Sequence, residues 1–183
     1  RSSTRLDRHL VVSDQQQAGR DLMRLYRDAI RQHSSNPVGY RKRIDATHRH
    51  ESYNPQCGDR VEVLLRVPGE TVEAAAFDGE ACAICMASAS LLCSLAPGLS
   101  LTDLRELGLS LQATLSEPPG AAIGAASAAA GTDPDEGRRN AMKSRSEPPL
   151  HPDLRPLLGV RPYPSRVQCA LLPWIAAGRA LSG

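Results

Sequence analysis

The chain has 183 residues and a formal net charge of +2, from 22 Lys and Arg against 20 Asp and Glu. That balance excludes a strongly basic surface, so no nucleic acid or other polyanion is expected as a partner. Aromatic residues make only 3% of the chain while the apolar set reaches 41%. The core must therefore be built from Leu, Ala, Val and Ile, and the length suits one domain with sequence to spare.

Residues 1–20 are polar, with Gln15-Gln16-Gln17 and only Leu10-Val11-Val12 to bury, and read as a flexible leader to a domain over 21–183. No apolar run approaches the roughly 20 residues of a membrane helix, and no signal peptide is evident, which predicts a cytoplasmic protein without membrane partners. Five cysteines in such a chain are expected to bind metal or react rather than form disulfides.

From Asp21, Leu22, Leu25, Tyr26, Ala29 and Ile30 recur at helical spacing, and Asn36-Pro37 stops the run. Residues 60–67 alternate as a strand, Pro68-Gly69-Glu70 turns, and Thr71 to Phe77 returns, giving an antiparallel hairpin. Asp78-Gly79-Glu80 reads as a loop, Ala83 to Leu95 as a buried helix of small residues, and Thr102 to about Ser116 as another helix with Asp103 and Glu106 in its first turn. Residues 117–150, with Pro-Pro-Gly, an Ala/Gly/Ser tract and mixed charge, read as a disordered insertion. A terminal helix is expected from Ser165, with Pro173 either in its first turn or kinking it.

The chemistry sits around this hairpin. Cys57-Gly58-Asp59 places a thiol and a carboxylate in one short turn before the first strand, and Cys82 follows the second strand at a helix mouth. A hairpin returns the chain to its starting edge, so Cys82 should come back near Cys57. The helix N-terminus should lower the Cys82 thiol pKa and favour its thiolate. Cys169 completes the set if the terminal helix packs across the same edge. Three thiolates and a carboxylate suit four-coordinate zinc, and thiolates also suit iron–sulfur chemistry; spacing alone does not choose. Arg166 is the positive group nearest Cys169 in the chain and a candidate to stabilise a thiolate or pair with Asp59. Cys93 lies about 16 Å along the helix from Cys82 at ~1.5 Å per residue, and is expected in the core. Cys82 and Cys85 form a C-x-x-C pair without the strand pattern of a dithiol fold. His48 and His50 are expected on a solvated extended segment.

The run Leu25-Tyr26 to Ile30, with His33 and Asn36-Pro37, resembles the first helix of the SufU/IscU-like (NifU N-terminal domain-like) family of iron–sulfur cluster assembly proteins. Asn54-Pro55-Gln56-Cys57-Gly58-Asp59, Phe77 to Ser90 around Cys82, and Tyr163 to Trp174 around Cys169 are similar to its three cysteine segments. The resemblance spans residues 22–115 and 160–182. It implies an α+β fold, a three-stranded antiparallel sheet flanked by helices, with Zn2+ held by Cys57, Asp59, Cys82 and Cys169. Gln168 stands where IscU-type proteins carry His, which favours the SufU branch. There the first motif cysteine, here Cys57, accepts persulfide sulfur from a cysteine desulfurase (SufS-like) and hands it to downstream cluster assembly machinery, with zinc displaced from that thiolate by a partner histidine. The alternatives are a scaffold carrying a transient 2Fe–2S cluster on the same ligands, and a structural zinc domain or thiol oxidoreductase. Departures from the family pattern are Ala81 in place of Gly, Cys85 in place of Ser, the long insertion, and Pro173.

Overall fold

The computed structural model describes residues 20, 24, 26–116 and 150–183. Strict period-two alternation sets the sheet. In β2 (Asp59–Arg66), Asp59, Val61, Val63 and Leu65 are buried and the residues between them are exposed or half-buried, as a strand with one core face requires. β2 lies between β1 (His48–Asn54) and β3 (Ala74–Glu80), both antiparallel to it, in the order β1-β2-β3.

Helices cover the buried face. α1 is described over residues 26–35; α2 spans Ala83–Leu95, α3 Leu101–Ser116 and α4 Pro164–Ala180, with a 3-10 helix Pro152–Val160 before α4. Eight residues of α2 are buried, among them Ala87, Ser88, Ala89 and Ser90. Small side chains let this helix be enclosed on most sides. α4 packs on β1, β2, α2 and α3, which makes it the central element of the helical layer.

Two buried serines tie the helices together. Ser88 Oγ donates to the Ala170 carbonyl at 2.6 Å and accepts the Trp174 indole N–H at 3.0 Å. Ser90 Oγ meets His33 Nδ1 at 2.8 Å and accepts the Val38 N–H at 2.8 Å, docking the end of α1 on α2. Tyr26 of α1 packs closely against Gly159, where a Cβ would come within 2.5 Å of Tyr26 Cγ. Beyond α1, Tyr40 bridges Phe77 in parallel fashion and covers the outer edge of β3.

The α+β class, the three-stranded sheet and the flanking helices agree with expectation. The second hairpin strand differs: it runs over Ala74–Glu80 rather than from Thr71, and includes the Asp78-Gly79-Glu80 segment read as a loop. Val72 N–H bonds to the Leu99 carbonyl at 2.9 Å instead, while Asp78 and Gly79 pair with Glu62 and Val61. Ladder pairing here overrides the turn preference of Asp-Gly. His48 and His50, expected in a solvated stretch, belong to β1. Pro164 opens α4, and Pro173 lies inside it and fully buried, beyond the first turn. The expected leader 1–20 and insertion 117–150 lie outside the described residues apart from residues 20 and 150; Leu150 packs against the core. Among the described residues no helix is long and apolar enough to cross a membrane.

Replacing Ser88 with Ala leaves the Trp174 N–H and the Ala170 carbonyl buried without their partner, which costs about 1–3 kcal/mol. Urea unfolding should show a loss of that size for Ser88→Ala, against no measurable change for Ser182→Ala on the surface.

Candidate metal centre

The turn joining β1 to β2 carries the first thiol. Gly58 N–H bonds to the Asn54 carbonyl at 2.9 Å, and Asn54 Oδ1 accepts the Gln56 N–H at 3.0 Å. Gly58 adopts φ +76° with open space around its missing Cβ. The turn therefore needs glycine for its backbone conformation rather than for room. Cys57 projects from this turn exposed to solvent. Asp59 opens β2 on the same face as Val61, Val63 and Leu65, so the alternation that builds the core also buries a carboxylate, at 3% exposure.

The register of β2 and β3 sets Arg60 opposite Glu80, which returns the chain to Asp59 two residues later. Cys82, the N-cap of α2, donates its N–H to Asp59 Oδ1 at 2.7 Å. Cys169 arrives on the buried face of α4, with its Sγ 3.3 Å from Cys57 Sγ. One ligand atom each of Cys57, Asp59 and Cys169 lie within 4.8 Å of one another. The sequence-predicted ligands therefore converge: three as a tight cluster, and Cys82 bonded to the carboxylate at its rim.

The electrostatics follow from this crowding. Burial pushes the Asp59 pKa up, but the Cys57 and Cys169 thiols and the Cys82 N–H outweigh it and hold the carboxyl below its usual range. Asp59 Oδ2 is nevertheless buried without a well-formed hydrogen bond. Burial raises the Cys169 thiol strongly, and the neighbouring carboxylate and thiols raise it further. The expected depression at Cys82 is reversed. Burial and Asp59 push its thiol up more than the N–H groups of Cys85 and Ile84 bring it down. An orphaned carboxylate oxygen and thiols reluctant to ionise unaided are what a bound cation satisfies, and the sulfur-rich donor set of Cys57, Asp59 and Cys169 fits zinc.

Arg166 lies with its guanidinium 4.5 Å from the Tyr163 ring centroid and bonds to the Tyr26 hydroxyl. Among the described residues it forms no ion pair with Asp59. Its link to Tyr26, which lies near enough to feel Cys82, was invisible in sequence because a helix-face tyrosine reads as packing. Cys85 and Cys93 are buried, and burial pushes Cys93 up to about 12; Cys93 lies in the core as expected. His48 and His50 do not join the metal-ligating cluster.

The family profile described as NifU-like N terminal domain matches residues 25–131, more than half of the chain. The zinc-dependent sulfurtransferase SufU of Bacillus subtilis is 30% identical over 158 residues, 86% of this chain and 90% of the relative. The iron–sulfur cluster assembly scaffold protein IscU of Thermotoga maritima is 27% identical, covering 86% and 92%. The NifU-like protein (N-terminal) of Brucella abortus shares the fold at TM-score 0.62 and 18% identity, with 84% of this chain and 90% of that one aligned.

The depressed Asp59 pKa stabilises the metal-free fold above the ordinary carboxylate pKa, and that contribution is lost as pH falls through the folded value. In chelator-treated protein, the stability gap between wild type and Asp59→Asn should be present at neutral pH and close as the pH falls below about 4. A gap unchanged from neutral pH to pH 3 in urea titrations contradicts this.

Proposed function

The chain belongs to the NifU-like N-terminal domain family, and from that premise we propose that it serves iron–sulfur cluster assembly as a zinc-dependent sulfur acceptor. Cys57, Asp59, Cys82 and Cys169 hold the metal, and Cys57 takes persulfide sulfur from a cysteine desulfurase. The carrying observation is the difference in access: Cys57 is exposed, whereas Cys169, 3.3 Å away, is buried. The match to a zinc-dependent sulfurtransferase over most of both chains supports the same reading.

Bound zinc would keep the ligand thiols deprotonated at neutral pH. The residues of the chain do the rest. The Asn54–Gly58 turn presents Cys57 outward, where a donor persulfide can reach it. The Cys57 thiolate attacks the outer sulfur of the donor persulfide; the donor S–S bond breaks, a new S–S bond forms on Cys57, and the desulfurase cysteine leaves as a thiolate. Asp59, fixed by the Cys82 N–H, anchors the base of the site. Cys85 and Cys93, buried and with raised pKa values, stay out of the exchange. Arg166, held on Tyr163 and Tyr26, orders the start of α4 beneath Cys169.

A second reading, a scaffold for a 2Fe–2S cluster on the same donors, is favoured by the match to IscU scaffold proteins. Metal analysis of anaerobically purified protein separates the two: stoichiometric zinc supports the first, and iron with acid-labile sulfide the second. In that assay Cys169→Ser should lose zinc more completely than Asp59→Ala, because water replaces a carboxylate oxygen more readily than a thiolate.

Incubation with a desulfurase and cysteine should place one persulfide on Cys57, and Cys57→Ser should accept none while keeping its fold. Peptide mass spectrometry reads the outcome, and a persulfide on Cys82, Cys85 or Cys93 with Cys57 unmodified would overturn the assignment.

A further inference from the structure

Sheet order leaves β1 at an edge, and its outer side differs from that of β3. The edge of β3 is covered by the Tyr40 segment. Among the described residues no strand, loop or isolated bridge pairs with the outer side of β1. Alternate backbone N–H and C=O groups there lack ladder partners.

This open edge borders a cleft of about 420 Å³. One wall is Ser52, Tyr53 and Asn54 of β1. Successive strand residues point to opposite faces, so a cleft bordered by all three opens at the strand's edge rather than on one face. The other wall is a stripe of α4: Ser165, Gln168, Leu172, Ile175 and Arg179. These recur at steps of three and four, one side of the helix. The stripe extends about 21 Å at ~1.5 Å per residue, which is the length of about six extended residues at ~3.3 Å each.

The chemistry of the walls selects an occupant. Leu172 and Ile175 supply an apolar floor; Gln168 and Ser165 supply hydrogen-bonding groups. Arg179 is the only charged residue lining the cleft. It is exposed and forms no ion pair among the described residues. A strand edge facing a helix, with pockets between them, is the arrangement by which domains add an extended peptide to a sheet.

We propose that the cleft between β1 and α4 is a docking groove for an extended, acidic segment of a protein partner, which pairs with β1 as a fourth strand, rests an apolar side chain on Leu172 and Ile175, and places a carboxylate on Arg179. Asn54, Pro55 and Gln56 line the groove and lead straight into Cys57, so a segment seated here lies beside the exposed thiol. None of the groove residues is a proposed metal ligand, so the inference stands or falls independently of zinc and of sulfur transfer.

The test selects ten-residue peptides from a random displayed library on the immobilised full chain, then measures the winners against wild type and Arg179→Glu. Selected peptides should be rich in Asp or Glu, and hydrogen exchange should slow in the backbone amides of His48–Asn54 when they bind. Arg179→Glu should weaken binding at least tenfold while leaving the melting temperature of the protein unchanged. Three outcomes overturn the proposal: peptides without an acidic bias, peptides whose protection falls outside β1 and α4, and outer β1 amides already protected in the peptide-free full chain, which would mean that another part of the chain or a second copy covers the edge.

Discussion

A carboxylate buried at the meeting point of a sheet, two helices and a turn is the constraint on which the rest of this architecture depends. Asp59 sits in the core phase of β2, and an unpaired buried charge there would be severely destabilising. Its Oδ1 accepts the Cys82 N–H, two residues beyond the end of β3, and the thiols of Cys57 and Cys169 crowd around the carboxylate. Each contributor is fixed by a different element. The hairpin register, the entry to α2 and the depth of α4 against the sheet must all be right together for the charge to be tolerated.

α4 carries most of that burden and divides its labour by helical face. Cys169, Ala170 and Trp174 turn inward, with Trp174 locked to α2 through Ser88. Gln168, one residue before the cysteine, faces the groove along β1. A step of one residue turns a helix by about 100°, so the thiol–carboxylate cluster and the groove are neighbours on one helix without sharing a side chain. Pro173, four residues after Cys169 and buried inside the helix, has no N–H to offer the Cys169 carbonyl. The backbone behind the buried thiol is therefore less tightly held than in an uninterrupted helix.

The five thiols are sorted by burial rather than by chemistry. Cys85 and Cys93 are packed into the core and their pKa values pushed up, which makes them inert small apolar side chains. Cys82 and Cys169 are partly or wholly enclosed beside a carboxylate, and burial pushes their pKa values up. Cys57 alone is exposed. The same turn that brings it to the cluster also opens it to solvent, and that single difference separates the accessible thiol of the cluster from the enclosed Cys169.

The sequence by itself determined the fold class and most of the helices, because helical spacing in α1, small residues in α2 and alternation in β2 are local patterns that report directly on burial. It also named the four converging residues, through the Cys57-Gly58-Asp59 turn, the position of Cys82 after a hairpin, and the resemblance around Cys169. What lay beyond it was set by pairing between distant segments. Asp78-Gly79-Glu80 became strand because Arg60 to Glu62 offered ladder partners, and His48 to Asn54 became strand because β2 needed a neighbour on its other side. Helix position predicted a lowered pKa at Cys82, but the tertiary structure set a buried carboxylate against that thiol and reversed the sign. Arg166, close to Cys169 in the chain, was drawn instead to Tyr26 and Tyr163. A pKa and an ion pair depend on which groups fill the few ångströms around an atom, and only the packing of distant segments decides that.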